Sequence, residues 1–135
     1  MAEWFYPTPD TESESHWNGM REGKLLIKHC KACDKVFFYP RRFCPRCWSE
    51  QTEWIESART GRIYSYSIVR QNPVQPFAGM CPYAVVIVDL DEGPRMMANW
   101  ELDASFEALK CGAAVEIIFR KVSDELSLPV VRLRG

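Results

Sequence analysis

The chain has 135 residues, with 17 Lys and Arg against 18 Asp and Glu, so its formal net charge is −1 with both histidines neutral. This balance excludes a protein that binds polyanions through its overall charge, and the 47% hydrophobic content excludes a disordered chain. The longest aliphatic run, residues 84–88, is far shorter than the roughly 20 residues of a bilayer span, so we expect no membrane segment. The acidic N-terminal stretch is unlike the basic start of a signal peptide, and we expect a cytoplasmic protein.

The first predicted element is a short helix over residues 10–22. Asp10 or Thr11 would cap its N-terminus, and Gly23 would follow its last turn. Trp17 and Met20 form a thin apolar face that is too small to fold alone. We therefore expect the helix to pack on another part of this chain or on a partner.

Four of the six cysteines form two C-x2-C pairs, and ten residues separate the pairs. The pairs are Cys30 with Cys33 and Cys44 with Cys47. This spacing is not typical of a disulfide framework. Two C-x2-C turns, called zinc knuckles, instead present four sulfurs to one tetrahedral zinc ion. We predict a structural zinc site, with strands over residues 25–29 and 36–39, whose folding depends on the metal. Iron in a rubredoxin-like site is the alternative, and an iron protein would be red.

Strand patterns and turns alternate in the rest of the chain. The predicted strands cover residues 52–57, 61–70, 83–90, 94–100, 113–122 and 128–133. A hairpin turn ending at Gly93 joins two of them, and a helix capped by Asp103 and ended by Gly112 precedes the last two. Three strands, a short helix and two more strands is the order of a five-stranded OB barrel, with a small β-sandwich as the alternative.

Together these elements predict a mainly β protein in two parts. Residues 1–50 would form the N-terminal helix and a rubredoxin-like zinc ribbon, and residues 51–135 an OB-fold with one short helix. The remaining cysteines, Cys81 and Cys111, are expected to be small buried hydrophobes. Neither histidine has the context of a general base, and no metalloprotease, phosphate-loop or nucleophile-elbow motif occurs. We expect no catalytic residue in this chain.

The order of several short motifs carries a resemblance to a known family. They are Trp17 with REGKL at 21–25, the two knuckles, YPRRFCPRC at 39–47, GRIYS at 61–65, PYAVV at 82–86, VDLDEGPR at 88–95, and Gly112 with VE at 115–116. In this respect the chain resembles the acyl-CoA-associated family labelled domain of unknown function thirty-five. It departs from the usual knuckle at Asp34 and Trp48, where glycine often follows the second cysteine. Trp adopts a left-handed backbone poorly, which puts the shape of the second knuckle in question.

The resemblance implies a small partner subunit of a thiolase-type enzyme, and in some members a subunit of a hydratase or an aldolase. By that likeness the partner would cleave or condense β-ketoacyl-CoA in steroid or aromatic degradation. The catalytic residues would then belong to the partner, and the two chains would share a coenzyme A (CoA) thioester within a hetero-oligomer.

Three arginines are candidates for the CoA phosphates: Arg41, Arg42 and Arg46. Arginine forks bind phosphate well, and all three lie between or inside the knuckles, where the metal would hold them on a rigid turn. Docking on an acidic partner surface and simple solvation are the alternatives for this basic turn.

A long loop over residues 70–82 joins the first two predicted barrel strands. It begins at Arg70, contains three prolines and presents Phe77 and Met80, as binding loops of this length often do. We predict that it closes over the pantetheine arm or the acyl group, with Arg70 and Phe77 among the contacts. A loop that folds back on its own barrel is the alternative.

Binding of single-stranded nucleic acid is the rival function, because zinc ribbons and OB-folds both serve it elsewhere. Charge argues against it: residues 21–48 carry +6, whereas residues 49–135, which include the whole predicted barrel, carry −3. The aromatic residues Trp4, Phe5, Tyr6 and Trp17 precede the ribbon, and we expect them to contact a protein partner instead.

Overall fold

The computed structural model describes residues 8–74, 77–102, 104–124 and 126–134. Residues 1–7, and with them the predicted partner contacts Trp4, Phe5 and Tyr6, lie outside the described part, as does Asp103. Among the described residues, none of the helices combines the length and the apolar character that a bilayer span requires.

The N-terminal helix, α1, covers Glu14–Arg21 and begins four residues later than the sequence predicts. Asp10 starts the turn ahead of it, because its carboxylate accepts hydrogen bonds from the backbone N–H groups of Glu12 (3.1 Å) and Ser13 (2.8 Å). The buried face consists of His16, Gly19 and Met20, and Trp17 is half-buried. This face packs on the first ribbon strand and on the last two barrel strands, so the helix docks on its own chain.

The ribbon sheet contains three antiparallel strands in the order β2-β1-β3. They are β1, Leu26–Cys30; β2, Val36–Phe37; and β3, Thr52–Glu56. The predicted boundary between residues 50 and 51 assigned β3 to the OB-fold. In the structure β3 pairs with β1 along its whole length, because the chain returns beside the free edge of β1 after the second knuckle. By strand pairing the ribbon extends to Glu56.

The other five strands form a closed barrel in the order β4-β5-β6-β8-β7. They are β4, Thr60–Val69; β5, Tyr83–Leu90; β6, Arg95–Trp100; β7, Ala114–Lys121; and β8, Ser127–Leu133. Strands β6 and β8 run parallel and the other pairs antiparallel, which confirms the predicted OB topology over the sandwich. The β5–β6 hairpin turns at Gly93, whose φ is +115°, as predicted.

The predicted barrel helix is reduced to a single 3₁₀ turn, Phe106–Ala108. Its cap is Ser105, whose hydroxyl accepts a hydrogen bond from the Glu107 N–H at 3.1 Å. Leu102, which was assigned to the apolar face, is exposed, whereas Leu109 is buried. One tight turn suffices to pack Phe106 and Ala108 against the barrel core and to bury Leu109 in it.

The ribbon and the barrel share one hydrophobic core. Leu25 and Ile27 at the start of the ribbon are fully buried among barrel residues such as Val88 and Trp100. Polar contacts reinforce the junction, where Glu92 accepts hydrogen bonds from the Ser57 hydroxyl (3.0 Å) and the Ala58 N–H (2.7 Å). The zinc ribbon is therefore held in a fixed position against the barrel.

Candidate zinc centre and adjoining cavities

The four predicted ligands come together at one point of the ribbon. The sulfur atoms of Cys30, Cys33, Cys44 and Cys47 all lie within 4.8 Å of one another. The Cys30–Cys47 and Cys33–Cys44 sulfur distances are 3.5 and 3.7 Å. Zinc–sulfur bonds of about 2.3 Å in a tetrahedron place the sulfurs about 3.8 Å apart, so the geometry fits a single zinc ion.

The two knuckles have the same backbone geometry, which explains how the spacing aims the sulfurs. In the first, the Asp34 N–H donates to the Cys30 carbonyl at 2.9 Å, and in the second the Trp48 N–H donates to the Cys44 carbonyl at 2.9 Å. Asp34 and Trp48 close these turns with φ values of +61° and +63°. Trp48 thus adopts the left-handed conformation that its side chain disfavours, and this side chain is 76% exposed.

Backbone donors prepare the first cysteine of each knuckle for a metal. A hydrogen bond from the backbone of Cys33 lowers the pKa of the Cys30 thiol, and one from the backbone of Cys47 lowers the pKa of Cys44 to about 7. Desolvation instead raises the pKa of Cys33 to about 12. Metal ions bind cysteine as the thiolate, so four ligands would place negative charges close together. A bound cation compensates this negative charge.

His29, on β1 beside the zinc site, contacts both the first knuckle and strand β3. Its Nε2 lies 2.7 Å from an Asp34 carboxylate oxygen, and its Nδ1 lies 2.9 Å from a Glu53 carboxylate oxygen. The hydrogen bonds to Asp34 and Glu53 raise the pKa of His29. The residue therefore has a structural role in the ribbon.

The candidate phosphate ligands lie on the exposed turn between the knuckles. Arg41 and Arg42 line a cavity of about 260 Å³ together with Phe43 and Trp48. The Arg42 guanidinium also forms an ion pair with Glu50 at 3.2 Å. The turn thus combines cations with exposed aromatic rings.

Arg46 follows on the same turn, inside the second knuckle, whereas Arg70 and Phe77 belong to the 70–82 loop. Arg46 is exposed, and its backbone N–H donates to the Cys44 sulfur at 3.4 Å. Arg70 is exposed at a second cavity, beside Asn72 in the 70–82 loop. Phe77 begins the 3₁₀ turn Phe77–Met80, and its ring lies 5.9 Å from that of Tyr83. Arg41 and Arg42 thus line one cavity, and Arg70 lines another.

Sequence reasoning missed a mainly apolar cavity, which has a volume of about 430 Å³. It lies between α1, the ribbon segment 38–40, Phe77 and strands β6, β7 and β8. His16 in its wall is buried between the rings of Trp17 and Phe38, at 5.1 and 5.2 Å between centroids, and burial lowers its pKa. No short sequence pattern predicts this cavity, because the residues of its walls are far apart in the chain.

The two lone cysteines do not behave as predicted. Cys111 is exposed, so its expected burial is wrong. Cys81 is half-buried, and its thiol donates to the Phe77 carbonyl at 3.4 Å.

A four-cysteine ribbon fused to a closed five-stranded barrel defines a zinc-ribbon/OB-fold protein. The family models agree: residues 17–53 match the "ChsH2, rubredoxin-like zinc ribbon domain", and residues 54–120 match the "ChsH2, C-terminal OB-fold domain". The chain belongs to this ChsH2-type family, DUF35. The family match and the cysteine geometry together support a structural zinc ion.

Relatives with curated names are scaffolds or subunits of CoA-related enzymes. A DUF35 domain-containing scaffold protein of Methanothermobacter thermautotrophicus is 37% identical, over 85% of this chain and 86% of the relative. Benzoylsuccinyl-CoA thiolase subunit BbsA of Thauera aromatica is 30% identical, over 70% of this chain and 62% of that protein. A probable enoyl-CoA hydratase alpha subunit of Thermomonospora curvata is 32% identical over 93% of this chain, which spans only 39% of that subunit.

A solved structure entitled "Ltp2-ChsH2(DUF35) aldolase" has the same fold. The superposition gives a TM-score of 0.83 with 29% sequence identity and covers 95% of this chain and 98% of the other. The ribbon and the barrel therefore have a common arrangement in both proteins.

Proposed function

We propose that this chain is a non-catalytic, zinc-stabilised accessory subunit of a thiolase-type complex. Its partner would cleave or condense a β-ketoacyl-CoA in the degradation of a steroid or aromatic compound, in the cytoplasm. The observation that carries the proposal is the likeness, over 70% of this chain, to a protein named as a benzoylsuccinyl-CoA thiolase subunit.

Both histidines are held by contacts within this chain, which supports an accessory role. His16 is enclosed by aromatic rings, with its Nδ1 3.4 Å from the Leu26 carbonyl, and His29 is held between two carboxylates. A general base needs a nitrogen that can reach substrate, and in both residues the contacts serve packing or the ribbon. The acid–base chemistry would then come from the partner.

The surface of the ribbon supports binding of the CoA thioester. Arg41 and Arg42 can contact the phosphates, and the exposed rings of Phe43 and Trp48 in the same cavity can stack on the adenine. The metal fixes this turn, so little conformational entropy is lost when an anion binds. Arg46 lies on the same turn and adds positive charge.

Arg70 and Phe77 would serve the opposite end of the thioester. We assign them to contacts with the pantetheine arm or the acyl group, where the 70–82 loop meets the partner. Arg70 and Arg41 line different cavities, which supports this division, since CoA is a long molecule with its phosphates at one end.

Purification of the tagged full chain from its native host tests the proposal. A thiolase-like subunit should elute with it in a zinc-containing complex, and thioester turnover should require both chains. In that complex, Arg41→Gln with Arg42→Gln should raise KM for acyl-CoA about tenfold at unchanged kcat, as expected when uniform binding is lost. Arg134→Gln, at an exposed position far along the chain, is the matched control.

Two results would contradict the proposal. One is turnover of a thioester by the purified chain alone, and the other is a chain that elutes without an enzyme subunit. Salt-dependent binding of single-stranded RNA without acyl-CoA binding would instead favour the nucleic-acid alternative.

A further inference from the structure

The cavity between α1, the ribbon and the barrel has the dimensions of a ligand site. Its volume of about 430 Å³ falls in the range of roughly 300–1,000 Å³ that small-molecule sites occupy. Its walls include Trp17, Phe38, Met97 and Val130, so that most of the surface it offers is apolar. Apolar surface of this kind favours a ring or a branched hydrocarbon group.

One polar group in the wall lacks a partner. The Nε atom of Arg120, on β7, is shielded from solvent and has no hydrogen-bond acceptor among the described residues. A buried donor without an acceptor costs about 1–3 kcal/mol. Arg120 lines the cavity, and its side chain would have to rotate to bring this shielded Nε–H to an oxygen placed there.

The charge of the other walls restricts the ligand further. The acidic residues Asp10 and Glu12 also line the cavity. The hydrogen bond from the Ser13 side chain lowers the pKa of Asp10, which therefore stays ionised at neutral pH. These two charges oppose a second anion, so the acceptor for Arg120 should belong to an uncharged group.

We propose that this cavity binds an uncharged, apolar ring compound through one carbonyl oxygen, which accepts a hydrogen bond from Arg120. The inference goes beyond the proposed function, because it assigns a ligand to this chain alone and requires neither CoA nor a partner subunit.

The probe for this test is 6-propionyl-2-dimethylaminonaphthalene, an uncharged aromatic ketone whose emission depends on its surroundings. The zinc-loaded full chain should bind it saturably at micromolar concentration, with a blue shift of the emission. Arg120→Met should weaken binding at least tenfold, whereas Arg134→Met, a surface control, should leave it within twofold. Asn99→Phe, which fills the cavity from β6, should also weaken binding at least tenfold.

An analogue with a propyl group in place of the propionyl group separates the hydrogen bond from packing. It should bind more weakly than the ketone to the original chain and equally well to the original chain and Arg120→Met. Circular dichroism and thermal unfolding verify that each variant is folded. The proposal is overturned if the ketone does not bind saturably, if Arg120→Met binds it as tightly as Arg134→Met, or if the anionic dye 1-anilinonaphthalene-8-sulfonate binds more tightly than the ketone.

Discussion

The ribbon and the barrel of this protein obtain their stability from different sources. Among the described residues of the ribbon, the local buried cluster consists only of Cys30, Phe37 and Cys44, and strand β2 has two residues. In the barrel, strands of six to ten residues close around a large cluster that contains Val86, Val88 and Trp100. Burial is the main source of stability for the barrel, whereas the knuckles, which lie outside the shared core around Leu25 and Ile27, depend on metal–thiolate bonds.

This difference explains where exposed arginines and aromatic rings lie together. A metal-held turn does not need its own side chains for a core, so Arg41, Arg42, Phe43 and Trp48 remain exposed on the ribbon. The barrel uses alternate side chains for packing and offers less freedom along each strand. The ribbon is therefore the region better suited to present a binding surface.

Removal of zinc should have the largest effect and should separate the two regions. Zinc contributes on the order of 10 kcal/mol to small zinc domains, so chelation should abolish the ribbon structure. Hydrogen exchange should show loss of protection in β1–β3 and retained protection in β5 and β6. Cys44→Ala should resemble the chelated protein, whereas Cys111→Ala, at an exposed cysteine that is not a ligand, should be unchanged. If β1–β3 stayed protected from hydrogen exchange after chelation, the ribbon would not depend on the metal for its structure.

A core truncation should reveal the barrel's dependence on packing. Trp100 is 1% exposed, and its indole N–H donates to the Ser105 carbonyl at 3.3 Å. Trp100→Ala should lower the free energy of unfolding by about 3–5 kcal/mol, measured by urea denaturation with zinc present. Met97→Ala, on the exposed face of the same strand, should change it by less than about 1 kcal/mol. Equal effects of the two variants would show that the barrel core is not the source of this stability.

The smallest predicted effect comes from the two histidines, whose pKa values are shifted in opposite directions. Burial lowers the pKa of His16 beneath its ordinary value of 6.5, whereas the hydrogen bonds to Asp34 and Glu53 raise that of His29. His16 should therefore reduce stability as the pH falls below 6.5, because the unfolded chain binds the proton more tightly. The contribution of His29 is complete below 6.5 and is lost as the pH rises through its folded pKa.

NMR titration of the zinc-loaded protein measures both values directly, since the chain has two histidines. His16→Gln assigns the resonances and should remove the curve with the lower midpoint. A His16 midpoint at or above 6.5 would contradict the buried environment of α1.

Local features of the protein could be predicted from the sequence. The four ligands, the left-handed position at Asp34 and the turn at Gly93 each depend on a few adjacent residues. The helix and the barrel turn were less well predicted in their extents. The turn held by Asp10 puts the N-cap of α1 at Ser13, and the cap at Ser105 begins only a short turn. Several polar residues nearby could have started either element equally well.

The amino-acid sequence by itself determined the chemistry of the metal centre and the order of the strands, because cysteine spacing and apolar alternation act over a few residues. Only the tertiary structure decided that β3 joins the ribbon, that Arg70 and Arg41 line different cavities, and that Arg120 lines an apolar cavity. These relationships join residues far apart in the chain. They depend on how barrel closure and helix docking arrange whole elements, which no short pattern encodes.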